Sequence, residues 1–211
     1  MTASNGSKLI GRPIRNRAQV FAIRHGETVW SRLGRHTGLT DIPLTESGRE
    51  AAKQLEPILA KTAFERVLSS PLERARATCE LAGFAERMEI DADLVEWNYG
   101  EYEGLTPEEI EQRVPGWMIF SDGCPGGEMP ADVGLRVDRL IAKIRRVAGH
   151  VALFAHGHLL RVLAARWLGF PPAGGSRFLL DTSTLSILSY YRDVPTLKTW
   201  NTPFTSERPA A

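Results

Sequence analysis

Short, uniformly apolar runs alternate along the chain with longer segments in which apolar residues recur every three or four positions. Val20-Phe21-Ala22-Ile23 is the first run, and it predicts a buried strand that stops abruptly at Arg24-His25-Gly26. Residues 46–60 place Ala51, Leu55, Ile58 and Leu59 on one helical face. Val67-Leu68 predicts a second strand, followed by Ser69-Ser70-Pro71. There Ser70 suits an N-cap and Pro71 the first turn of a helix running through Arg74 towards Leu81. Residues 131–148 carry Val133, Val137, Leu140, Ile141, Ile144 and Val147 on one stripe, the clearest amphipathic helix of the chain. Val151-Ala152-Leu153-Phe154-Ala155 predicts another buried strand, ending at His156-Gly157-His158. Residues 159–168 are apolar nearly all round and predict a buried helix, while 185–190 and 196–200 predict closing strands.

This alternation predicts an α/β fold, a three-layer sandwich whose mostly parallel central sheet carries helices on both faces. Residues 87–127, rich in Gly, Pro and aromatic residues, hold one predicted helix, 107–113, and read as a small cap excursion. In sheets of this kind ligands bind at the carboxyl ends of the strands. Three predicted strands end in polar groups: Arg24-His25, Ser69-Ser70 with Arg74 just beyond, and His156. They are expected to meet at one place.

Composition narrows the function classes. A chain of 211 residues fits one domain with room for a cap. Its formal net charge of +1 gives no reason to expect nucleic acid or a membrane surface as partner, and no run approaches the roughly 18 apolar residues of a membrane span. The charge is uneven: Lys8, Arg12, Arg15 and Arg17 lie in an acid-free start, which leaves the rest of the chain at −3. That start lacks the apolar stretch of a secretory signal, although a mitochondrial transit peptide would share its arginines. The organisation expected is a basic, flexible extension over 1–18, one domain over 19–205 and a tail over 206–211. Cys79 and Cys124 make no metal or redox spacing, and a reduced, cytoplasmic setting fits them.

Taken as chemistry, the three strand ends suit a phosphate. Arg24 and Arg74 offer planar, two-pronged donors matched to phosphate oxygens. His156 adds a further donor, and the N–H groups from Gly157 onward would lie at a helix N-terminus, which favours anions. In such a pocket a neutral His25 can attack phosphorus and form a covalent intermediate. Gly26 after it permits close backbone approach. Singly, each of these residues has an ordinary structural explanation; their order on an α/β frame is what points to chemistry.

Arg24-His25-Gly26-Glu27-Thr28 resembles the RHGxT signature of the histidine phosphatase superfamily, in the branch that contains cofactor-dependent phosphoglycerate mutases. Further landmarks follow in the family's order: TGLTDIPLTESGREAA at 37–52, SSPLERARAT at 69–78, LVEWNYGEYEGL at 94–105, PGGE at 125–128 and AHGHLLRVL at 155–163. The resemblance implies His25 as the phosphohistidine nucleophile, with Arg24, Arg74 and His156 on the phosphate. It implies Glu96 as the proton donor to the leaving oxygen, and no metal or other cofactor. Many members carry Asn where this chain has Ser31, so Ser31 is an expected phosphate contact through a shorter hydroxyl. Thr37 and Gly38 resemble the loop that closes over the phosphate, and Gly157 and Tyr99 complete the expected substrate contacts.

Several neighbours are expected to stay outside the chemistry. His36 reads as a rim residue, His150 as an exposed strand start, and His158 as turned away from His156. Glu101 and Glu103 are acidic rivals to Glu96 with a poorer motif match, and Arg76 faces away from Arg74 on its helix.

Mutases of the family have a longer, more basic excursion and an Arg after the donor Glu, whereas Trp97 follows Glu96 here. The excursion's aromatic residues, Trp97, Tyr99, Tyr102, Trp117 and Phe120, suggest a less charged acceptor side. The resemblance is therefore closest to sedoheptulose-bisphosphatase-like and acid-phosphatase-like members. The expected partner is a small phosphorylated metabolite, a sugar phosphate or bisphosphate, with a homo-oligomer left open. Phosphoglycerate mutase-type transfer and a non-catalytic phosphate-recognition module are the alternatives.

Overall fold

The computed structural model describes residues 18–204, so the expected extension and tail lie, apart from Ala18, outside the described residues. Six strands form one sheet: β1 (Val20–Arg24), β2 (Phe64–Ser69), β3 (Met88–Ile90), β4 (His150–Ala155), β5 (Thr184–Tyr191) and β6 (Val194–Pro203). Their order is β3-β2-β4-β1-β5-β6. The first four are mutually parallel, whereas β5 runs antiparallel to both β1 and β6.

The apolar runs of β1 and β4 follow from this layout, because a parallel strand in mid-sheet is covered on both faces. Successive side chains point to opposite sides. Val20 and Ala22 thus join one core with Val151, Leu153 and Ala155, against the helices Pro130–Ile144 and Gly157–Trp167. Phe21 and Ile23 join the other with Ala152 and Phe154, against Leu55, Leu59, Cys79 and Ala82. The two cores on opposite faces make the three layers.

The Pro130–Ile144 helix buries the expected stripe, with Val147 packed against it just beyond the last turn. The Pro107–Arg113 helix starts where expected, through a capping box between Thr106 and Glu109.

Four expectations change. The 46–60 segment is two helices, Glu46–Lys53 and Glu56–Leu59, because Pro57 has no N–H to return to the Lys53 carbonyl. The break turns Ala52 rather than Ala51 into the core and leaves Ile58 exposed. Ser70 is not the N-cap of its helix, which runs Glu73–Cys79 with Leu72 at the cap position. Asp41 Oδ1 accepts from Glu73 N at 2.8 Å instead, and the Ser70 hydroxyl lies 2.8 Å from His156 Nε2. Met88–Ile90 is an edge strand of the sheet, so the excursion begins only after Ile90. His150 is half-buried, its Nδ1 accepting from Gln19 N at 3.0 Å.

One side chain ties the excursion to the body. Arg136, in the Pro130–Ile144 helix, makes a forked ion pair with Glu128 at 2.7 and 2.8 Å. It also donates to the carbonyls of Asp93 and Val95 at 3.0 Å and of Glu96 at 3.3 Å. It therefore fixes the backbone from which Glu96 projects. Arg136→Ala should lower unfolding stability by roughly 1.5–3 kcal/mol, the worth of hydrogen bonds to a charged group, as a shift in the urea midpoint. An unchanged midpoint would mean that the excursion is held by its apolar contacts alone.

Candidate active site

The sheet register builds the site. Arg24 lies beside Ala155 and Ser69 beside Phe154, so β1, β2 and β4 end level with one another. The next residues continue the pairing: His25 N donates to Ala155 O at 3.0 Å and Ser70 N to Phe154 O at 2.9 Å. Directly after His25, a Cβ on Gly26 would lie 2.5 Å from the Gly48 carbonyl oxygen. Gly26 is thus fixed by the close approach of the Glu46–Lys53 helix, which holds the nucleophile candidate's backbone from one side.

A cavity of about 200 Å³ opens at this end of the sheet. Of the expected residues, Arg24, His25, Ser31, Thr37, Glu96, Tyr99 and Gly157 line it. Arg74, His156 and Gly38 stand behind its wall. Each has a defined position there. Arg74 is wholly buried, with Nε on His156 Nδ1 at 3.1 Å and its two amino groups on Thr40 O, Thr37 O and Gly38 O at 3.0, 3.0 and 2.7 Å. Arginine only donates, so His156 Nδ1 accepts and Nε2 carries the proton that reaches Ser70 Oγ. Gly38 admits no side chain, since a Cβ would lie 2.5 Å from a Glu103 carboxylate oxygen.

Arg24 is placed differently. One amino group donates to Leu180 O, but Nε is buried and has no partner among the described residues. An unspent buried donor is costly unless a ligand takes it. The guanidinium packs flat on Gly157, where a Cβ would approach its carbon to 3.1 Å.

His25 has a fixed tautomer. Nδ1 lies 2.7 Å from Gly26 O, which can only accept, so Nδ1 carries the hydrogen and Nε2 is left bare. Burial, then the charges of Arg74 and Arg24, hold the ring well below the ordinary histidine range. A neutral imidazole with a bare nitrogen beside an unspent guanidinium is equipped to attack an anionic phosphoryl group.

Glu96 is buried at the start of the Gly157–Trp167 helix. Oε1 accepts from Trp97 N and Leu159 N, both at 2.9 Å, and Oε2 from His158 N at 3.0 Å. The rivals lie elsewhere: Glu101 is exposed, and Glu103 Oε1 holds the loop at Gly38 N and Thr40 N. Arg76 is exposed, as expected. Ser31 lines the cavity, but its hydroxyl is engaged with the Thr28 backbone in a capping box.

His158 turns away from His156, but into the cavity and not to solvent. Its Nδ1 is 2.6 Å from the Tyr99 hydroxyl, and its ring lies parallel to that of His36 at 5.9 Å. Both rings line the cavity, so His36 is more than a rim residue. Arg35 and Arg161 also line it and were not foreseen. A single arginine amid Leu159, Leu160, Val162 and Leu163 was the available signal for Arg161. Among the described residues no group of three or more His, Cys, Asp or Glu could hold a metal ion, and no helix is long and apolar enough to cross a membrane.

A family model described as histidine phosphatase superfamily (branch 1) matches residues 20–203. An acid phosphatase of Mycobacterium tuberculosis is 38% identical over 180 residues, covering 83% of this chain and 88% of the relative. Sedoheptulose 1,7-bisphosphatase of Saccharomyces cerevisiae is 38% identical over 179 residues, 70% of this chain and 66% of the relative. The solved mycobacterial glucosyl-3-phosphoglycerate phosphatase complexed with VO3 superimposes with a TM-score of 0.78 at 29% identity, covering 88% of this chain and 99% of that one.

Buried histidine rings set the pH response. His25, His156 and His158 are each held well below the usual value of 6.5, by burial first and a neighbouring arginine next. Below pH 6.5 the unfolded chain binds protons that the folded site refuses, so stability should fall with acidification. The slope is at most about 1.4 kcal/mol per ring per pH unit. Urea midpoints at pH 7.5, 6.5 and 5.5 read this directly, and His158→Asn should flatten the fall; a midpoint rising towards pH 5.5 would contradict it.

Proposed function

The chain belongs to the histidine phosphatase superfamily, and from that premise we propose that it is a metal-independent phosphomonoesterase acting on a sugar phosphate or bisphosphate. The observation that carries the reading is the pairing of a neutral, tautomer-fixed His25 with the unspent donor of Arg24 in one cavity. The relatives support a hydrolase: acid phosphatase, sedoheptulose bisphosphatase and glucosyl-3-phosphoglycerate phosphatase.

In this reading the phosphoryl group enters against Arg24 and the helix N-terminus at Gly157. His25 Nε2 attacks phosphorus, the P–O ester bond breaks, and Glu96 gives a proton to the departing oxygen. Water then attacks phosphorus as Glu96 takes a proton back, the P–Nε2 bond breaks to restore neutral His25, and inorganic phosphate leaves. Glu96 Oε2 carries one N–H bond against two on Oε1, so it is the oxygen with room for the transferred proton. Arg74 and His156 act from one layer behind, holding Ser70 and the 37–40 loop. For Arg74 to touch phosphate directly, the loop carbonyls it now holds must yield.

Turnover of p-nitrophenyl phosphate should persist in excess chelator and vanish in His25→Ala. Loss on chelation, restored by a divalent ion, would remove the metal-free mechanism. Glu96→Gln should slow alkyl phosphates by roughly 10²–10⁴, the usual worth of general acid catalysis, and slow the aryl ester far less. If Glu101→Gln or Glu103→Gln shows that dependence instead, the donor is another carboxylate.

A further inference from the structure

Beyond the phosphate cavity lies a second cleft of about 620 Å³, whose walls include Trp117, Phe120 and Arg161. The two spaces share His36, Pro107, His158 and Arg161, so whatever extends from a phosphate at His25 into this cleft passes beside the two histidine rings. This is where a leaving group would sit.

The hydrogen bonds around the two rings assign different roles to them. His36 Nδ1 is 3.0 Å from Leu105 O, a pure acceptor, so Nδ1 carries the hydrogen. His158 Nδ1 is 2.6 Å from the Tyr99 hydroxyl. Burial raises Tyr99 well above its ordinary range, so that hydroxyl keeps its proton. With Tyr99 as the donor, His158 Nδ1 accepts and its Nε2 carries the hydrogen. Burial lowers both histidines, which leaves them neutral. His36 therefore presents a bare Nε2 and His158 an Nε2–H, and neither has a partner among the described residues. One side of the gate accepts and the other donates.

We propose that His36 and His158 are specificity-determining residues that read hydroxyl groups on the leaving group, selecting phosphate esters of polyhydroxy alcohols over those of plain alcohols. A hydroxyl both donates and accepts, and so satisfies the two nitrogens together. An alkyl chain would leave both unpaired as it displaced their water, a mismatch that hydrogen-bonding sites reject strongly. The half-buried Trp117 in the cleft wall suits the apolar C–H side of a polyol. The inference rests on the phosphatase reading above and adds the residues that choose its substrate.

The test compares sorbitol 6-phosphate with n-hexyl phosphate, which share a six-carbon chain and differ in hydroxyls. p-Nitrophenyl phosphate serves as the control for intact chemistry. Wild type should favour the sorbitol ester in kcat/KM by tenfold or more. His36→Phe and His158→Phe keep a flat ring but lose both nitrogens, and should each cut that preference several-fold, whatever the change in aryl turnover. His158→Gln retains an N–H donor and should recover part of the preference. A wild type indifferent to the hydroxyls, or ring variants that lose all three substrates equally, would overturn the proposal. Failure of wild type on every ester, aryl included, would instead bring down the phosphatase reading and this inference with it.

Discussion

Arg74 is a cation with no accessible surface and, among the described residues, no carboxylate in contact, and its hydrogen bonds decide the layout of the site. A charge taken out of water must be satisfied in full, or the fold loses several kcal/mol. Here three carbonyls of the 37–40 loop and one histidine nitrogen take four of its five N–H donors. The loop is thereby drawn over the strand ends, His156 is held in one tautomer, and its other nitrogen reaches Ser70. The same buried positive charge helps to keep His25 neutral. A single guanidinium thus couples the wall of the cavity to the protonation state of the residue inside it.

What was legible in the sequence was legible for reasons of packing. β1 and β4 are covered on both faces, and only an unbroken apolar run fits such a position. The Pro130–Ile144 helix is covered on one face, and its stripe shows it. β3 escaped notice because three residues at an exposed edge carry no pattern. Ser70 has the chemistry of an N-cap, and nothing local shows that a histidine 86 positions later competes for its hydroxyl. Arg136 and Arg161 are long-range clamps, and an arginine on a helix reads the same whether it faces solvent or a buried carbonyl.

The candidate site divides along the same line. His25, Arg24 and Glu96 stand at ordered motifs, and all three face the cavity. His158 points away from His156 yet enters the cavity, because His156 is extended at φ −130° and ψ 169° while Gly157 already begins the helix. Neither the period of a strand nor that of a helix holds across that junction, so His158 turns back towards Tyr99. The result is a pocket whose ring nitrogens are nearly all oriented by the protein before any ligand arrives. Such preorganisation lowers the cost of stabilising charge as it develops in the transition state.

The central claim is that phosphorus becomes bonded to His25 Nε2 during turnover, and rapid-quench trapping reads that bond directly. Protein mixed with a 32P-labelled monoester and quenched within milliseconds should carry label that survives alkali, is lost in acid, and maps to the peptide containing His25. His25→Ala should carry none. Alkali-labile phosphate on a serine, or full turnover with no label on any residue under conditions that slow dephosphorylation, would contradict the account.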